Sequence, residues 1–422
     1  MPELLLQLFT PFFFFIFFLL PLFFFFFFLA LQKNHKKVET HSSTTATAIP
    51  KAYPLIGSYF AFKANNNRRI QWLSDAVLAS PNVTFTFHQL LGEKSIITAN
   101  PATVQHILKT QFSNYQKGGN TLTTLSDFLG AGIFNVNGEN WKFQRQVASH
   151  EFNSRSLRKF VEVVVEAELN QRLIPTLNDS QSQSKTLDFQ DILQRFAFDN
   201  ICKIAFGFDP EYLTPSLKDS NLTKAFEDAH IISTKRFREP LALVWKMKRK
   251  LNIGSEKRLR IAVSEVQEFA RKIVREKKKE LKEKASLDSV DMLSRFLTSG
   301  HSDEDFLMDI VISFILAGKY TTSAALTWFF WILSKNPRVE KEIMKEIREK
   351  SEGVRVYEEV KDMVYTHAAL SESMRLYPPV PMDDKDAMKN DVLPDGTIVK
   401  KGMSVAYHVY AMIGLSFDLK GG

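Results

Sequence analysis

Along most of the chain apolar residues recur every three to four positions, and in two short stretches they alternate instead. The helical spacing predicts helices over Asn65–Leu78, Pro101–Lys109, Asn221–Thr234, Glu256–Lys284, Ser302–Ser334, Pro337–Lys350 and Lys361–Leu376, with further helices from Gly138 to about Gly207. "VTFTFHQLLGEKSIITA", Val83 to Ala99, alternates like a strand pair turning near Gly92, and "GTIVKKGMSVAYHVYAM" alternates across a turn at Lys401-Gly402. Ser113 to Asn135 is rich in Gly and Thr, has no sustained period and reads as a long loop, which in compact folds usually serves function. The expected class is mainly α with a small β region.

Two apolar segments exceed ordinary length. Leu8 to Leu31 has 24 residues without a charge, thirteen of them Phe, and as a helix would be roughly 36 Å long at the standard rise. That is enough to cross a bilayer core of about 30 Å. Glu3 precedes it and Lys33, Lys36 and Lys37 follow it, opposite to a cleaved signal peptide, so a retained single anchor with a cytosolic body is expected. Residues 32–58 read as a polar linker ending in a proline-rich hinge at Pro50, Pro54 and Gly57, and residues 59–422 as one large domain. The second segment, Ser302–Ser334, has Ser302 as its expected cap and Asp303, Glu304 and Asp305 in its first turn. Asp309 and Lys319 inside it argue against lipid and for the middle of the domain.

That second segment is interrupted by "ILAGKYTTSAAL", Ile315 to Leu326. A phosphate loop of the G-x-x-x-x-G-K-[ST] type needs a glycine where Ser313 stands and a strand before it, so it is excluded. What remains is a helix weakened at Gly318, with Thr321 and Thr322 bonding back to carbonyls, or an ordinary kink filled by small residues. In "ALSESMRLYPPVP" Glu372 and Arg375 are three apart on one helical face, able to form an ion pair, before a stop at Pro378, Pro379 and Pro381. In "WKFQR" Trp141 and Arg145 are four apart, so an indole N–H and a guanidinium can reach one anion.

Composition narrows the partners. The net charge of +8 and pI near 9.2 suit an anionic membrane face or an acidic partner protein, and the charge is too diffuse for a nucleic-acid site. The basic run Arg271–Lys284 is interleaved with glutamates and reads as a solvated helix face. Cys202 is the single cysteine, which excludes an intramolecular disulfide and a multi-cysteine metal site. The sequons at Asn82, Asn178 and Asn221 fall on the cytosolic side of the expected topology and read as accidental.

In their order, and with "FDNICKIAFGFDP" between them, these segments resemble the cytochrome P-450 family of haem-thiolate monooxygenases. "GIFNVNGENWKFQRQVASHEFNSRSLRKFV" and "FILAGKYTTSAALTWFFWIL" are similar to its plant branch of fatty-acid and jasmonoyl-amino-acid ω-hydroxylases. The resemblance implies a cytochrome P-450 fold with an N-terminal anchor in the endoplasmic reticulum membrane, a haem b cofactor, an NADPH-dependent cytochrome reductase as electron donor, and a monomer that does not bind nucleic acid. It implies that Trp141 and Arg145 hold a haem propionate and that Ala317 and Gly318 lie against the haem. Gly318, Thr321 and Thr322 would line an oxygen groove, Glu372 with Arg375 would brace the haem-side core, and the Ser113–Asn135 loop with Val380, Pro381 and Met382 would touch substrate. Two departures stand against activity: Tyr320 takes the place where the family has an acid, and the chain ends at "GLSFDLKGG" before the cysteine loop that supplies the iron ligand. The expectation is therefore a C-terminally incomplete member without an iron-ligand cysteine, inactive as written. The rival is a non-catalytic protein that binds an acyl ligand or a partner.

Overall fold

The computed structural model describes residues 49–150, 158, 160–214, 221–239, 241–283, 291–300, 303–350 and 360–418, with Leu19, Pro21 and Leu22. The rest of the Phe-rich span and the linker to Ala48 lie outside the described residues. Ile49 onward forms one compact unit. Its entry folds back on itself, because Tyr53 and Gly57 exchange backbone hydrogen bonds and Ser58 N–H donates to His88 O.

The centre of the body is the helix α10. In chain order the elements used below are α1 (Arg69–Leu78), β1 (Thr84–His88), β2 (Lys94–Thr98), β3 (Tyr115–Gln116), α2 (Gly119–Leu129), α3 (Gly138–Ser149), α4 (Ile174–Ser182), α5 (Phe189–Phe206), α6 (Asn221–Arg236), α7 (Ala242–Leu251), α8 (Gly254–Glu283), α9 (Met292–Thr298), α10 (Glu304–Lys335), α11 (Pro337–Lys350) and α12 (Val364–Leu376). They are followed by β4 (Asp383–Ala387), β5 (Asp391–Val392), β6 (Ile398–Val399), β7 (Ser404–Tyr407) and α13 (Val409–Asp418). The chain is mainly helical with a small β region, as the periodicity predicts.

Residues 307–315 of α10 are buried all round, which is why this helix carries no polar stripe there. They pack with Phe198, Cys202 and Phe206 of α5 and with Leu259, Val266 and Ile273 of α8 in the largest core. By length and composition α10 is also long and apolar enough to cross a membrane, yet this enclosure makes it the internal helix of the body. Its cap is Asp303, whose carboxylate accepts the Phe306 N–H at 3.1 Å; Ser302, the expected cap, lies outside the described residues. α5 is bounded as its sequence suggests, with Asp188 accepting the Gln190 and Asp191 N–H groups and Gly207 in the left-handed conformation beyond its end.

A five-stranded sheet in the order β1-β2-β7-β4-β3 forms a second core with α1, where Trp72, Phe85, Ile97 and Ala406 meet. Thr84 opposes Thr98 in the antiparallel β1–β2 pair, and Ser95 opposes Ser404 in the parallel β2–β7 pair. The two strands that alternate across Lys401-Gly402 are not partners of one another: β6 pairs β5 in a separate ribbon while β7 enters the main sheet. The 113–135 stretch is not one loop either. It holds β3 and the eleven-residue helix α2, whose Thr124, Phe128 and Leu129 are buried. Thr124 on the buried side hid the helical period from a reading of apolar residues alone.

Candidate functional site

α10 runs as unbroken α-helix through "AGKYTT", so no kink opens at Gly318. The smallness of Gly318 is used in packing: an added Cβ would lie 2.5, 2.7 and 2.9 Å from Cγ1, Cβ and Cδ1 of Ile201 on α5. Thr321 bonds back as expected, its hydroxyl donating to Ala317 O at 2.6 Å. Thr322 is exposed and makes no such bond; the other back-bonding hydroxyls are Ser323 to Lys319 O at 2.6 Å and Thr327 to Ser323 O at 2.7 Å. Ala317 and Thr321, four residues apart, share one half-buried face.

Lys319 is 1% exposed and points to the opposite side, its ammonium 5.7 and 5.8 Å from the ring centres of Phe198 and Phe226 and 5.0 Å from that of Tyr320. Burial pulls it down to about 8, with Glu227 and Asp191 opposing. Tyr320 stands edge-on to His230 of α6, ring centres 4.5 Å apart, and the Tyr320 hydroxyl and His230 Nδ1 are both buried without a hydrogen-bond partner among the described residues. Burial raises the phenol and lowers the imidazole.

A second group of residues gathers at the start of α3. Trp141 is half-buried against Phe112, ring centres 5.3 Å apart, and Arg145 one turn on is exposed. Among the described residues neither the indole N–H nor the guanidinium has a hydrogen-bond acceptor. Lys117, which sequence reasoning missed, stands beside them with its ammonium 6.0 Å from the Trp141 ring centre. It is held by β3, whose Gln116 opposes Asp386 of β4, and by Asn137, which accepts from Lys117 N–H at 3.0 Å and donates to Lys117 O at 2.9 Å. Its ammonium donates to Ile133 O and Val136 O at 3.2 and 2.9 Å. Burial first, and then the charge of Lys385 on β4, lower Lys117 to about 8, against the pull of Asp383. The only sequence signal for Lys117 is a lone lysine after a two-residue strand, too common to single out.

Glu372 and Arg375 form the ion pair their spacing predicts, bidentate with both contacts at 2.6 Å. The side chains are 54% and 30% exposed, so the pair sits at the surface of the described body. Next to it Tyr377 stacks on Trp328 of α10 at 3.9 Å, fixing α12 to that helix. Val380 is exposed, Pro381 O accepts the Tyr410 N–H at 3.0 Å, and Met382 packs into the sheet-side core.

Haem is tested against these residues by its chemistry. A guanidinium, an indole N–H without acceptors and a desolvated ammonium suit its carboxylates, and the Ala317–Thr321 face offers small side chains and a hydroxyl. The thiolate is not supplied by Cys202, which is fully buried among Phe198 and Phe206 on α5 with its thiol raised by burial and by Asp199. No group of three or more His, Cys, Asp or Glu side chains among the described residues forms a metal site.

Residues 48–414 match the family model described as Cytochrome P450. Cytochrome P450 94A1 of Vicia sativa is 69% identical over 364 residues, covering 86% of this chain and 71% of that protein. Cytochrome P450 94A2 of the same plant is 60% identical over 386 residues, 91% of this chain and 75% of its own length. Cytochrome P450 94B1 of Arabidopsis thaliana is 48% identical over 372 residues, 88% and 73% respectively. Trp141 and Arg145 of α3 and the Ala317–Thr321 face of α10 all fall inside the matched stretch, and the chain belongs to the cytochrome P450 family.

Proposed function

We propose that these residues form the body of an ω-hydroxylase that oxidises fatty acids or jasmonoyl-amino acids at or near the terminal carbon. What carries the reading is the 69% identity to a P450 of the 94A type across both the seat and the groove face. When bound, haem supplies the activation of O₂ that inserts one oxygen atom into a C–H bond, with electrons from an NADPH-dependent reductase. The chain's own residues do the rest. Trp141, Arg145 and Lys117 would hold the carboxylates of the group. Ala317 leaves room there, and Thr321, its own proton engaged by Ala317 O, presents its lone pairs as acceptors on that face. Val380, Pro381 and the loop of residues 130–135 bound the substrate side. The Leu8–Leu31 span, with lysines after it, holds the body at the cytosolic face of the endoplasmic reticulum membrane.

The enclosure of Cys202, which leaves the described residues no accessible thiolate, is what favours a second reading, a non-catalytic protein that binds an acyl ligand or a partner. A chimera separates the two. Residues 1–414 joined to the C-terminal remainder of the 94A1 relative, with haem, reductase and NADPH, are expected to convert laurate to a terminally hydroxylated product seen by mass spectrometry. A haem-loaded chimera that produces none overturns the hydroxylase reading.

A further inference from the structure

Asp309 stands eight residues before Ala317 on the same helix, about 12 Å along its axis at the standard rise. Its carboxylate is enclosed and accepts the Ala131 N–H at 2.7 Å. The segment it holds lies directly on α10. A Cβ at Gly130 would run into the Asp309 carboxylate and one at Gly132 into the Ser313 hydroxyl, and Gly130 also has a positive φ of 47°, which favours glycine. From its other side Asn135 Nδ2 donates to Gly130 O at 2.9 Å and Leu122 O at 3.1 Å, Gln144 Nε2 donates to Ala131 O at 2.9 Å, and the Lys117 ammonium, whose own titration at about 8 lies above the pH range of the test, donates to Ile133 O at 3.2 Å. Ser313 Oγ, one turn beyond Asp309, is fully buried and has no hydrogen-bond partner among the described residues.

We propose that Asp309 is a positioning residue whose carboxylate, through Ala131, seats the Gly130–Asn135 loop as a releasable wall beside the Ala317–Thr321 face. What that wall bounds rests on the hydroxylase reading; the seating itself is measurable without turnover. The groups acting on Asp309 are Asp305 and Asp303 at the start of its own helix, Arg271 of α8, which also reaches Asp305 at 3.3 Å, and from the loop only the Ala131 N–H. Burial outweighs that hydrogen bond and lifts Asp309 to about 6. A seated carboxyl that prefers its proton is held more firmly in acid than at neutral pH, because release lets the ionised group regain water. The loop is therefore tightest near pH 5 and loosens as pH rises. With a value of 3.8 for the released group and about 6 for the seated one, linkage gives about a tenfold fall in protection between pH 5 and 7.5.

The test is hydrogen exchange of the Gly130–Asn135 amides in the full 422-residue chain, corrected for the intrinsic pH dependence of exchange. The native chain is expected to lose about tenfold protection from pH 5 to 7.5. Asp309→Asn, which keeps an acceptor and carries no charge, is expected to stay protected at both values. Asp309→Ala, which leaves Ala131 without its acceptor, is expected to be unprotected at both; should it fail to fold, the native chain against Asp309→Asn decides. Protection independent of pH in the native chain, or Asp309→Asn no better protected than native at pH 7.5, overturns the proposal. Failure of the hydroxylase reading shows instead as absent product from the chimera and leaves these exchange rates unchanged.

Discussion

Gly318→Ala separates a packing glycine from one that lines an open groove. The new methyl would sit 2.5–2.9 Å from three atoms of Ile201, where carbon atoms normally rest about 3.5–4.0 Å apart. One of those atoms is Cβ, tied to the α5 backbone, so a rotamer change alone does not relieve the clash. Overpacking of this kind costs about 1–3 kcal/mol, and the better helix propensity of alanine offsets about 1 kcal/mol. The net expectation is a loss of up to about 2 kcal/mol, read as a lower urea midpoint by far-ultraviolet circular dichroism with an unchanged slope. Ile201→Ala in the same chain makes room for the methyl, so the double variant should be more stable than the two single losses predict, by about 1 kcal/mol or more. A Gly318→Ala protein more stable than the parent, or strict additivity with Ile201→Ala, refutes the reasoning and returns Gly318 to the groove.

The seat on α3 predicts that Arg145→Ala and Trp141→Phe each weaken haemin binding by the 422-residue chain about tenfold or more, the usual loss for a hydrogen bond to a charged group, with the circular dichroism of Arg145→Ala unchanged. Equal affinity in all three proteins removes both residues from the seat. Lys117 is held at about 8, below the 10.5 of a free lysine, so haemin affinity should fall as pH rises through and above 8, and Lys117→Met should flatten that profile. The same shift means that the folded chain binds this proton less tightly than the unfolded one, so the contribution of Lys117 to stability rises between pH 8 and 10.5. Cys202 should resist a thiol reagent in the native protein and react in urea, and the 422-residue chain should show no thiolate-type band when reduced under carbon monoxide; such a band lost in Cys202→Ser would reverse the assignment.

Long apolar periods were the most legible part of the sequence. α8, α10 and α11 lie within two residues of where spacing and caps put them, because each buries one face over several turns. α2 was missed since its buried side uses Thr124 beside Phe128 and Leu129, and α9 since seven residues hold too few turns to show a period. Strand pairing was illegible where partners are far apart in the chain. β7 lies parallel to β2 some three hundred residues earlier, and nothing local to Lys401-Gly402 distinguishes that from a hairpin. Glu372 with Arg375 and Trp141 with Arg145 were readable because helical spacing alone brings each pair together. Lys117 and Asp309 were not, because their roles come from a two-residue strand and a loop that lies on α10 through two glycines.

The geometry of α10 also keeps Tyr320, which stands where the family resemblance leads one to expect an acid, from doing an acid's work. Successive residues turn by about 100° around the helix, so four neighbours face four directions. Ala317 and Thr321 share one face, Gly318 meets Ile201, Lys319 enters the aromatic core and Tyr320 meets His230. Burial moves the phenol and the imidazole in opposite directions. At neutral pH the first therefore keeps its proton and the second carries no extra one, and a pair pushed apart in this way has no proton to pass near pH 7. Lys319 does titrate near neutrality, yet it lies across the helix from Thr321. Ala317 and Thr321 thus keep a half-buried face of their own, Thr322 beside them is exposed, and the position before Thr321 is taken by a packed aromatic contact with His230.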